Sequence, residues 1–427
     1  MKLKSFNLRS KVRGGSLFHA LFAIFIIGAL LTTMLSMSFF QKKVAVRFNQ
    51  KSRLIENIDS VAELVESGYP VSQDGEVLDL FNKGTDSVYL ISRSWGMFDL
   101  VATRAQRNQF SESRTFFIGQ QIAPSERKTI YLADRNQPLK LTGRTKIEGK
   151  VELPKKGIER GYINGNNYSG EKLIYGTTSI SEKSLPEFNQ DLLRQNLIYL
   201  NGGLLPTDSL VRMPQPYDSI SHPFNQNTIV IDQNGWLFLD QLSISGNVII
   251  RSDKAITIRN TSALSEVLLY APYIEIETGF KGNIQCFALD SLKVMEMVQL
   301  DYPSTLAILD DEKLNEVKKL EVGAGTIIQG QVLIYDDFVD FRKLPILALA
   351  EESIVEGEVY SNGFTEVKGT IHGSVFTRKF LLRTPGSTYE NHLQNVVISS
   401  KKLSKHFLGG KLIANGDYQN SILKWVE

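Results

Sequence analysis

The 427-residue chain is predicted to be mainly β: an N-terminal transmembrane and stalk α-helix, a small α/β unit, then a β-solenoid. Three observations predict it. Residues 14–41 hold no Asp, Glu, Lys or Arg. Beyond residue 140 an apolar-x-Gly-x-apolar template recurs at Ile147-x-Gly149, Ile244-x-Gly246, Phe280-x-Gly282, Ile328-x-Gly330, Val355-x-Gly357 and Ile371-x-Gly373. Gly357 and Gly373 stand 16 residues apart and head segments that align, Val359-Tyr360-Ser361 with Val375-Phe376-Thr377. A repeat of that length is one coil of a solenoid.

The first element is the membrane helix. Residues 1–13 carry Lys2, Lys4, Arg9, Lys11 and Arg13 and no acid. A helix over residues 16–40 spans a hydrocarbon core, which takes about 20 residues. A cleaved secretory signal has an apolar stretch of only about 7–15, so the length argues for a retained anchor. Lys42, Lys43, Arg47, Lys51 and Arg53 match the five basic residues before the span, and the positive-inside rule ties. The short basic leader places the N-terminus inside, and the domain then lies outside the inner membrane. His19 reads as interfacial.

Val44, Phe48, Leu54, Ile55, Ile58, Val61, Ala62 and Val65 follow on a stripe of 3.6-residue period. Gly68-Tyr69-Pro70 ends the helix. The stripe suits a stalk, or a juxtamembrane helix packed on its own domain. This end resembles a type IV prepilin or pseudopilin. Lys11-Val12-Arg13-Gly14-Gly15 matches the leader end, and the resemblance implies processing between Gly15 and Ser16. Major pilins carry Glu at the fifth mature position, whereas this chain has Ala20; some minor or tip subunits lack that Glu as well. The resemblance covers about the first 65 residues.

Residues 41–130 are assigned to the stalk and the small α/β unit, with a hairpin over 87–106 turning at Ser94-Trp95-Gly96. The solenoid is placed at 131–400, interrupted by a loop-rich insertion at about 155–230. In the template, Gly and its two apolar neighbours share one strand face. Gly weakens a strand unless a corner or a close approach needs it, and the narrow core of a solenoid leaves no room for a side chain there. A β-sandwich with Gly bulges is the competing arrangement. Residues 401–427, ending in Lys424-Trp425-Val426-Glu427, are expected to cap the solenoid and cover its edge. The same pattern resembles the bactofilin-type polymer-forming β-helix, most closely over 321–385. That resemblance implies a right-handed coil and self-association.

Composition narrows the chemistry. A net charge of +2 creates no basic field, so nucleic acid is not a partner. The single cysteine, Cys286, excludes an internal disulfide and a multi-Cys metal site; its phase makes it a core thiol. There is no Walker A, H-E-x-x-H or G-x-S-x-G motif. His372 falls on the outward phase. Asp310-Asp311 and Asp336-Asp337 are the acids to weigh for glycan chemistry, but neighbours on a strand face opposite ways, and they read as solvated turn acids. Tyr162, Tyr168 and Tyr175 either stack on sugars or pack on the coil. No cofactor or metal is expected. The chain is read as a non-enzymatic, minor-pilin-like envelope subunit, with membrane lipid and pilin-like subunits or further copies as partners. A tethered carbohydrate-active β-helix enzyme or lectin, and a bactofilin-like scaffold, are the alternatives.

Overall fold

A computed structural model describes residues 15–80, 84, 86–310, 317–337, 343–414, 416 and 418–426. Helix α1, Gly15–Glu66, runs for 52 residues. Its last turns bury Leu54, Ile58, Val61, Ala62 and Val65, the spacing of one helical face. The helix closes with Gly68 at φ +96. There the amide of Gly68 donates to Val65 and that of Tyr69 to Leu64, a Schellman cap.

That face lies on an antiparallel sheet: β1 (Glu76–Leu78), β2 (Ser87–Trp95), β3 (Phe98–Arg107), β4 (Phe110–Gln121) and, beside β4, the strand Gln419–Val426. Leu90, Val101, Phe116 and Ile118 supply the sheet side of this core. The hairpin of β2 and β3 turns at Gly96, φ +62. The last strand of the segment 401–427, expected as a cap, lies instead on this sheet. Residues 419–426 pair antiparallel with β4, and Lys424 is also paired with Glu266. Trp425 packs on Phe116 at 4.8 Å, which supplies an apolar reason for that docking. Glu427 lies outside the described residues.

Between β4 and that returning strand the chain builds a closed and almost wholly parallel β-structure. One ladder runs Lys281, Gln299, Ile327, Ile354, Thr370, Val397, and then reaches back to Lys146. A second runs Ile250, Leu269, Cys286, Leu306, Val332, Val359, Val375, and then Ile130 and Val151. A third begins Trp236, Ala255, Tyr273, Ser291, Lys319. Side chains of the second ladder fill an aliphatic interior, Cys286 included. The order of strands is thus not the order of the chain. Segments from the beginning of this region stack beyond those at its end.

The second ladder is buried on both faces. After Gly246 and Gly330 the strand becomes continuously apolar, as in Val332-Leu333-Ile334, which is the pattern of a sheet covered on both sides. The outward column Tyr270, Phe287, Ala307, Leu333, Tyr360, Phe376 and Tyr131 forms a second core. Helix α2, Gln190–Leu200, covers part of it with Leu192, Leu193 and Leu197. Asn189 caps α2, its side chain accepting from the amides of Asp191 and Leu192. The expected loop-rich insertion at 155–230 thus holds a covering helix, together with strands such as Ser209–Val211 and Ser219–His222 that join the ladders.

Candidate functional site

Helix α1 has two halves of different character. Residues 15–49 are exposed throughout, Leu17, Phe25, Leu31 and Phe40 among them. By length and composition this half can cross a membrane. Thr32 and Thr33 donate to the carbonyls of Gly28 and Ala29 at 2.8 and 2.6 Å, so neither hydroxyl needs water. Gly15 and Ser16 stand exposed at the start of the helix; the leader residues Lys11–Gly14 lie outside the described residues. Beyond the span, Lys51 faces Glu112 at 3.5 Å, and Arg53 and Arg107 share buried Asp86 at 2.8 and 3.3 Å. Two of the five basic residues after the span are therefore turned to the sheet.

The seam between this N-terminal unit and the ladders is organised around one polar column. Gln285, Thr305, Gln331, Glu358 and Ser374 are in register on the covered face. Gln285 accepts from the Met97 amide at 2.8 Å and so holds the β2–β3 turn. Gln331 accepts from the Gly410 amide and donates to Glu358, both at 2.7 Å. Arg127, 5% exposed, donates to the carbonyls of Ile122, Ser404, Lys405 and Phe407. Tyr302 donates to Leu408 at 2.8 Å. A buried amide or carbonyl left unpaired costs about 1–3 kcal/mol, and this column supplies the partners. Burial pushes the Glu358 carboxyl up to about 7, against the opposing pull of Gln331 and Arg127.

The other residues singled out from the sequence do not converge. Asp336 and Asp337 lie apart in role: Asp337 is exposed and accepts from the Tyr335 hydroxyl at 2.8 Å, while Asp336 is half-buried, its backbone bound by Asn362. Asp310 corrects the expectation of a solvated turn acid. It is 1% exposed and ion-paired with Lys318; Asp311 lies outside the described residues. His372 is half-buried, 3.7 Å from Glu356, its ladder neighbour. Burial pushes the Cys286 thiol well up, away from reactive thiolate. Tyr168 is buried in the aliphatic core and donates to the Lys172 carbonyl, whereas Tyr162 is exposed. Among the described residues no group of three His, Cys, Asp or Glu could hold a metal. Gln285, Arg127, Gln331 and Glu358 escaped sequence reasoning. The clue was the apolar run after glycines such as Gly246 and Gly330, which solvent on one face would not produce.

No protein-family model matches the chain, and no curated protein matches it. Among solved structures it is similar to the crystal structure of the competence-associated pilin ComZ from Thermus thermophilus. The identity is 8%, the alignment covers 100% of each chain, and the TM-score is 0.22. A likeness of that degree carries no argument about fold or function.

Proposed function

We propose that the chain is a single-pass, pilin-like envelope subunit. In this reading α1 anchors it with the N-terminus inside, and the closed parallel structure is a right-handed β-solenoid held outside the inner membrane. Its work is structural or assembly-related and needs no catalysis. Membrane lipid surrounds the anchor, and other pilin-like subunits or further copies meet it there. The observation that carries this reading is the division of α1: a bare apolar half continues without a break into a half packed on an antiparallel sheet. In-register parallel ladders that advance by 16 to 28 residues, as from Ile354 to Thr370 and from Gln299 to Ile327, support the coil. The strong preference of parallel crossovers for the right hand supports its handedness.

The test is N-terminal sequencing of the membrane-extracted protein, made with and without a prepilin peptidase. With the peptidase, the mature chain begins at Ser16 and keeps the helix. An uncut Met1 in both samples overturns the pilin-like reading, and loss of the whole apolar segment turns it into an ordinary signal peptide.

A further inference from the structure

Between the N-terminal sheet and the ladders lies a cavity of about 140 Å³, and three slips in strand pairing meet at it. Where Ser265 and Val267 pair with successive residues of the next strand, the extra residue is Glu266, at φ +60. From Leu300 to Ser304 the strand holds two residues more than its neighbour does from Ile328 to Gly330. Tyr302 and Pro303 belong to that excess. Between Ile422 and Lys424 of the returning strand the extra residue is Leu423. Glu266, Tyr302, Pro303 and Leu423 all line the cavity. Bulges give up ladder pairing in order to re-aim side chains, and they gather beside binding sites.

The remaining walls are aromatic. Trp95 and Phe98 come from the β2–β3 turn and Phe117 from β4, all three buried. Phe224 stands edge-on to Trp95 at 5.3 Å and to Phe117 at 5.0 Å, which fixes both rings in place. Among the described residues the charged members of the lining are Glu266 and Lys424, and they pair with each other. The cavity therefore calls for neither an anion nor a cation. Its polar groups are mostly spent as well. Gln285 serves the Met97 amide and the Trp95 carbonyl, and the Tyr302 hydroxyl serves the backbone of Leu408. Asn283 donates to the Tyr302 carbonyl at 3.0 Å, but its side-chain oxygen accepts from no donor among the described residues. One acceptor is left over in an aromatic box.

Size narrows the occupant further. An apolar cavity of about 150 Å³ takes one benzene, so this one has room for a single ring and not for a second ring or an acyl chain. We propose that the cavity binds one phenolic ring. Its faces meet Trp95, Phe98 and Phe117, and its hydroxyl donates to the Asn283 side-chain oxygen. A bare ring fills the same space but takes water from that acceptor without replacing it. Neither the anchor nor its processing enters this inference, which stands apart from the pilin-like reading.

The test uses the full chain in detergent micelles, with fluorine NMR reading the bound fraction of para-fluorophenol and of fluorobenzene, corrected for empty micelles. Para-fluorophenol binds saturably, about tenfold or more tighter than fluorobenzene, and excess para-cresol displaces it. Leu423→Trp, which brings a ring into the space from the returning strand, abolishes binding of both. Asn283→Leu, close in volume, brings the two ligands to equal affinity. Thermal melts matching the natural protein's show that the variants are folded; where one fails to fold, the preference of the natural protein decides. Displacement by N-acetyltyrosinamide assigns the ring to a tyrosine of a polypeptide, and its failure assigns it to a free phenol. Equal affinity of the natural protein for the two fluorinated ligands overturns the proposal. So does absence of binding at millimolar concentration, and so does binding that a folded Leu423→Trp chain retains in full, which places the ligand elsewhere.

Discussion

Gly330, Gly357 and Gly373 are stacked in register, with φ of +150, +157 and +156. A Cβ at each would lie 1.8, 1.8 and 1.7 Å from the carbonyl oxygen of the residue before it in the ladder, Ser304, Gly330 and Gly357. These glycines are needed because one backbone crosses close to the next, in a conformation that side chains avoid. The sequence showed where they fall, but the narrow-core reason is corrected: the obstacle is the neighbouring strand, and alternation carries no information about φ. Gly357→Val combines strain with a backbone clash and should cost about 3 kcal/mol or more. His372→Gln, on the outward phase, should stay within about 0.5 kcal/mol. Denaturant melts of both variants decide it, and equal tolerance would remove the close-approach account.

At the scale of the strand, the polar position after each template glycine reads from sequence as solvent-facing. Gln331, Glu358 and Ser374 are buried, and Gly409 and Gly410 lie against the first two. Those covers come from distant parts of the chain, so no local pattern names them. Glu358 makes the covering measurable. Its folded carboxyl titrates near 7 against an ordinary 4.5, so the folded state holds this proton more tightly than the unfolded one. The stability linked to it is complete below about 4.5 and is lost as pH rises through about 7. The denaturant midpoint of the natural protein should fall across that window relative to Glu358→Gln. The difference should reach on the order of 3 kcal/mol at about pH 8. Parallel pH profiles for the two proteins would mean that Glu358 keeps its charge inside the fold.

For the whole molecule, the long apolar helix, its later buried stripe, the hairpin and the glycine template were legible because each rests on a local period. The return of residues 419–426 to β4 and the stacking of Ile130 beyond Val375 were not, since each joins segments with no shared local signal. A chain ending at Tyr418 tests the first of these. Removing the last strand uncovers Phe116 and the free edge of β4. Hydrogen exchange should then lose protection over 110–121 while the ladder strands of 327–382 keep theirs; a uniform loss would show a single cooperative unit instead. The same wiring has a consequence for biogenesis. During synthesis from the N-terminus, β4 and the strand Lys128–Leu132 emerge long before one of the two strands that will flank each of them. The N-terminal unit therefore stays unfinished while the rest of the chain is made. Waiting edges of this kind are what chaperones hold and proteases cut, and a ribosome that stalls early leaves a product marked for removal by its own open sheet.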